Sequence, residues 1–103
     1  MQNGNLAYAE DRISDRDAVH HRTRGILTDG RSIPMLIVNV SPHGMMARCE
    51  LQLEPGDTVR VLLPLAGMVG GEVRWALGGR IGCQFARAVP LATYYEMLAA
   101  LVK

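Results

Sequence analysis

Two short stretches of this sequence carry side chains whose type and spacing suit them to chemistry. The first is Arg12-Ile13-Ser14-Asp15-Arg16, two arginines four residues apart. Two guanidinium groups at that spacing can close together on one compact anion. Each offers a bidentate fork to phosphate oxygens or to a guanine edge, and a flat face for stacking. The second is Asn39-Val40-Ser41-Pro42-His43-Gly44. Asn39 and Ser41 stand two apart, so on a strand they share one face. The amide of Asn39 can bond a base edge, the hydroxyl of Ser41 can take a phosphate or base contact, and Gly44 lets a ligand approach the backbone.

Composition sets how much each stretch is worth. Ten of the eleven cationic residues are arginine, the exception being Lys103, so about one RxxxR is expected by accident and that spacing alone says little. An Asx-x-Ser-x-x-Gly is expected only about 0.02 times in a chain with this few serines. It is the second stretch, standing downstream of the first, that carries information.

Other chemistries find little support. No GxSxG, HExxH or phosphate-binding glycine loop occurs, so no enzyme is expected. His20 and His21 are neighbours on a strand and point to opposite faces, and His43 is isolated in a turn, so no metal site is expected. Cys49 and Cys83 form no CxxC pair and read as inert core thiols. A net charge of +1 argues against a general polyanion binder, and 5% aromatic residues leave few platforms for single-stranded nucleic acid. The apolar runs are too short to span a membrane and residues 1–10 lack the apolar core of a signal peptide, so a cytoplasmic location without membrane insertion is expected.

The elements that must position these residues are mostly strands. A length of 103 residues fits one domain, and 49% hydrophobic residues allow it a core. Residues 1–10 read as a tail and 11–17 as an arm. Strand patterns follow over 19–28, 32–40, 45–51, 59–63, 69–75 and 80–85, separated by Asp29-Gly30, the 41–44 turn, Pro55-Gly56, Ala66-Gly67 and Gly78-Gly79. Ile81, Cys83 and Phe85 alternate onto one face. Behind Pro90, the positions Leu91, Tyr94, Tyr95, Leu98, Leu101 and Val102 follow helical spacing. Six short strands and one C-terminal helix predict an all-β, six-stranded antiparallel barrel or a sandwich, with the helix covering an open end or flank.

Taken together, the chain resembles the PilZ domain family from about Arg12 onward. The family pattern of RxxxR, a strand pair, [DN]xSxxG, further strands and a C-terminal helix reads here as Arg12 to Arg16, Asn39 to Gly44 and the segment from Leu91. Gly71-Glu72-Val73-Arg74-Trp75 resembles the family's GxVxW strand, and Gly82-Cys83-Gln84-Phe85 its closing GxxF strand. The resemblance implies a PilZ-like domain over 11–103, built as a six-stranded antiparallel β-barrel. It implies a receptor that binds cyclic di-GMP, commonly as an intercalated dimer, with no cofactor. Arg12 and Arg16 would wrap the ligand, Asn39 and Ser41 would contact a guanine, and Gly44 would give backbone access. His43, standing where the family often has a second glycine, is a further candidate contact. The arm would order over the ligand and signal to a downstream protein. The alternative is a PilZ-like adaptor that binds no nucleotide and acts by protein contacts in motility or pilus machinery.

Overall fold

A computed structural model describes residues 16–101. Six strands run as β1 (Asp17–Leu27), β2 (Ser32–Ser41), β3 (Gly44–Arg48), β4 (Thr58–Leu63), β5 (Gly67–Leu77) and β6 (Arg80–Phe85), followed by helix α1 (Leu91–Leu101). The strands close into an antiparallel barrel in the order β1-β2-β3-β6-β5-β4, with β4 pairing back onto β1. Closure removes the free edges that an open sheet of this size would leave. The expected barrel is therefore the observed fold. β3 ends at Arg48 rather than running on to 51, because the chain leaves the ladder into a connection anchored by the buried Leu53. β5 is longer than its apolar residues suggested.

The inward face follows from alternation. β4 is the plainest case: Val59, Val61 and Leu63 are buried while Thr58, Arg60 and Leu62 are exposed. Ile37, Val40, Val73 and Ile81 join them in the core. At Asp29-Gly30 the chain reverses with Gly30 at φ 90°, a conformation that glycine adopts without steric cost, and Arg31 bonds back to the Asp29 carboxylate. Cys49 and Cys83 are both buried and unpaired, as expected of core thiols. Burial pushes the Cys83 thiol up to about 12, with a smaller contribution from Cys49.

The helix keeps part of its expected face, with Tyr94 and Leu101 buried and Leu98 packed against the core, and departs from it elsewhere. The residues it buries are Tyr94, Met97 and Leu101, whereas Leu91 and Tyr95 are exposed. Almost every side of this segment is apolar, so spacing alone could not fix its rotation. The choice is made by Met97, which is fully buried, and by the hydroxyl of Tyr94. That group donates to Asp17 Oδ2 at 2.5 Å and lies 3.1 Å from the carbonyl oxygen of Val40. Helix α1 thus packs where β1 begins and β2 ends. Among the described residues no helix is long and apolar enough to cross a membrane.

Candidate functional site

Strand alternation alone would bury the serine motif. On β2 the residues Ile33, Met35 and Ile37 point inward, and strict alternation would send Asn39 and Ser41 after them. The ladder is broken instead: Ile37 pairs with Ala47 and Asn39 with Met46, so Val38 is an extra residue on β2. One inserted residue exchanges the faces of everything beyond it. Val40 becomes the inward residue, fully buried, and Asn39 and Ser41 turn onto the outer wall, each half-buried.

The same device operates on β5. Val73 points inward and pairs with Cys83, but Trp75 pairs with Gly82, leaving Arg74 as the extra residue. Trp75 is thereby turned outward, 39% exposed, over Gly82. A Cβ on Gly82 would collide with the indole ring, so the glycine is what lets the ring lie on the sheet. A third irregularity falls on β1 between Ala18 and His21. Neighbouring pairs then place Ala18, Asn39, Met46, Gly82 and Trp75 in one row across the outer wall, with Ser41, Gly44, Gln84 and Glu72 in the next. Three ladder breaks around one patch of wall are the arrangement expected where side chains are re-aimed for binding.

The polar groups of this wall retain capacity for a ligand. Asn39 Nδ2 makes only a weak 3.8 Å contact to Met46 Sδ, and its carbonyl oxygen has no partner among the described residues. Ser41 Oγ accepts from the His43 amide at 3.1 Å, which leaves its own proton free to donate. The turn is tied to the segment ahead of the helix, since Phe85 N donates to His43 O and Val89 N to Pro42 O. The His43 side chain is exposed. Gly44 has a packing reason for being glycine, different from the expected ligand access: the Cβ it lacks would run into the Cys83 carbonyl across the β3–β6 pair.

Arg16 is exposed and immediately precedes Asp17, which pairs with Val40 between Asn39 and Ser41. Its backbone therefore stands at the motif. Arg12 lies outside the described residues. Trp75 was not singled out as a contact by its sequence, because the Val69, Gly71, Val73 alternation would have placed it inside. Only the inserted Arg74 reverses this. Among the described residues no group of His, Cys, Asp or Glu could hold a metal ion.

A cavity of about 680 Å³ lies elsewhere on the outer wall. It sits over Gly70 and Gly71, between Ile26, Arg60, Arg74 and Gln84, and shares Glu72 and Gln84 with the second of the two rows just described. Volume and motif thus point to adjoining patches. The re-aimed polar and aromatic groups favour the motif row, because Asn39 and Ser41 retain hydrogen-bonding capacity there, whereas in the cavity Arg74 and Gln84 are already bonded to each other.

Compared with known proteins, residues 11–103 match the family model of the PilZ domain. Proteins of curated function show no match to the chain.

Proposed function

The chain belongs to the PilZ domain family, whose members are non-catalytic binding domains and typically cyclic di-GMP receptors, and we propose that it is itself such a receptor, taking the nucleotide on the outer wall formed by Asn39, Ser41 and Trp75. The observation that carries this reading is the pair of bulges at Val38 and Arg74, which turn those three residues outward onto the same patch. The amide of Asn39 bonds a guanine edge, the Ser41 hydroxyl donates to a guanine or phosphate oxygen, and the Trp75 indole gives a base a face to rest on. Arg16, just ahead of β1 beside the motif, and Arg12 four residues earlier in the sequence close over the ligand with bidentate bonds to phosphate and guanine. Closing the arm fixes its backbone at a cost of ~1–2 kcal/mol per residue, which the new charged contacts offset. The arm and ligand together make a surface for a downstream protein. The nucleotide is taken up there as an intercalated dimer, as the family resemblance implies.

Calorimetric titration of cyclic di-GMP into the full chain tests the reading. Binding is expected, with affinity lost at least tenfold in Asn39→Ala, Ser41→Ala, Arg12→Ala and Arg16→Ala while the barrel stays folded. Absence of heat and of amide shifts over 39–44 would favour the adaptor that acts by protein contacts alone.

A further inference from the structure

Beyond Trp75 and Met46 the outer wall carries a third row that no part of the motif includes. Arg22 pairs with Leu36, Leu36 with Arg48, Arg48 with Arg80, and Arg80 with Leu77. Three exposed arginines therefore share one line across the sheet, two of them directly opposite each other. Three other arginines of the wall and its turns have internal partners, Arg24 with Ser32, Arg31 with Asp29 and Arg74 with Gln84, while Arg60 on β4 stands alone, apart from any other arginine row. Among the described residues the side chains of Arg22, Arg48 and Arg80 have neither an ion pair nor a hydrogen bond. Like charges directly opposite on a sheet are unfavourable, and a chain of net charge +1 is not so basic that such a row is unavoidable.

The row lies two residues along β3 and β6 from Met46 and Gly82, a step of about 7 Å. Guanidinium side chains can span that step, so a ligand resting on Trp75 lies within their reach. We propose that Arg48 and Arg80, with Arg22 at the end of the row, form a phosphate-binding stripe that flanks the nucleotide face on the side away from the arm. This rests on the receptor reading above and adds to it a second cationic contact. The two facing guanidiniums bind one phosphodiester of a nucleotide whose base lies on Trp75, and that anion relieves their mutual repulsion. A phosphate is favoured over an acidic protein segment because the stripe is continuous with the aromatic and amide groups of the Trp75 row.

The test is a titration of cyclic di-GMP into the full chain and into Arg48→Gln/Arg80→Gln, each at two salt concentrations. The double variant is expected to bind at least tenfold more weakly and to show a smaller loss of affinity with salt, since fewer charge contacts remain to be screened. Without ligand it is expected to melt no lower than the unmodified chain. Should it melt lower, Arg48→Gln and Arg80→Gln singly carry the test, each weakening binding threefold or more. Unchanged affinity and salt dependence in the variants, with the unmodified chain binding normally, would leave the stripe to an acidic partner and overturn the phosphate assignment alone. If the unmodified chain itself takes up no cyclic di-GMP, the receptor reading falls and the stripe falls with it.

Discussion

The outer wall over β3 and β6 and the outer wall over β4 and β5 are built from the same antiparallel ladder, yet their glycines serve opposite ends. Gly44 is glycine because the backbone of Cys83 occupies the place of its side chain, and Gly82 because Trp75 does. Gly70, on the other wall, has nothing within 4 Å of the Cβ it lacks, and a cavity opens above it. The ladders differ too. β4 and β5 pair without interruption from Thr58–Glu72 to Leu63–Gly67. The wall that carries the motif is bounded by the bulges of β2 and β5. A motif glycine thus does not by itself mark where a ligand approaches; the broken ladder is the better sign, because it re-aims side chains.

The largest effect is expected at Gly44. Gly44→Ala drives a Cβ against a carbonyl oxygen held in the β3–β6 ladder, and neither strand can yield without opening the barrel. A loss of roughly 3 kcal/mol is expected, the upper range for overpacking, read from urea unfolding. If the variant is as stable as the parent, Gly44 is not fixed by packing and its role returns to ligand access. Next in size is Tyr94→Phe, at the barrel end that the motif wall reaches. It removes a hydroxyl bonded to the Asp17 carboxylate and close to the Val40 carbonyl, and about 1–3 kcal/mol is expected. Because Asp17 directly follows Arg16, weaker nucleotide binding should accompany the loss. A change in stability alone would confine Tyr94 to packing the helix.

How far the sequence revealed this depends on those same bulges. On β4 the alternation of Val59, Arg60, Val61, Leu62 and Leu63 predicts the observed faces, since each residue has a regular partner. Asn39 and Ser41 could be seen to share a face, but not which one, because Val38 exchanges inside and outside one residue before the motif. Trp75 was hidden by Arg74 in the same way. The helix was recognisable from its spacing, but its rotation was not: Leu91 and Tyr95 are as apolar as the residues it buries, and the decisive contact, Tyr94 with Asp17, joins segments 77 residues apart. Cys83 read correctly as a core thiol, but nothing in its sequence neighbours showed that its carbonyl lies behind Gly44.

Cys83 also supplies a pH dependence specific to the closed wall. Its folded pKa is raised to about 12, chiefly by desolvation, from the ordinary thiol value of 9.0. The unfolded chain therefore releases this proton first. The resulting stability is complete below pH 9 and is lost as pH rises from 9 toward 12, at no more than ~1.4 kcal/mol per pH unit. Near pH 10 a decline on the order of 1 kcal/mol is expected, and Cys83→Ala should flatten this part of the profile. Slow alkylation of the native chain at pH 8 is the companion observation, since the thiolate is the reactive form. An equal decline in Cys83→Ala would assign the alkaline limb to other groups.

The smallest expected effect belongs to the open wall. Gly70→Ala places a methyl group where no atom lies within 4 Å, at a position whose φ is not in the left-handed region. Within a strand, alanine also loses less backbone freedom on folding than glycine does. Stability should change by less than about 0.5 kcal/mol, with a small gain as readily as a small loss. Nucleotide affinity should stay within twofold, because Gly70 stands on β5 opposite Arg60 and outside the Asn39–Trp75 row. A large loss of affinity with stability intact would instead move the ligand onto the Gly70–Gly71 cavity. The bulges at Val38 and Arg74 would then have to be explained without it.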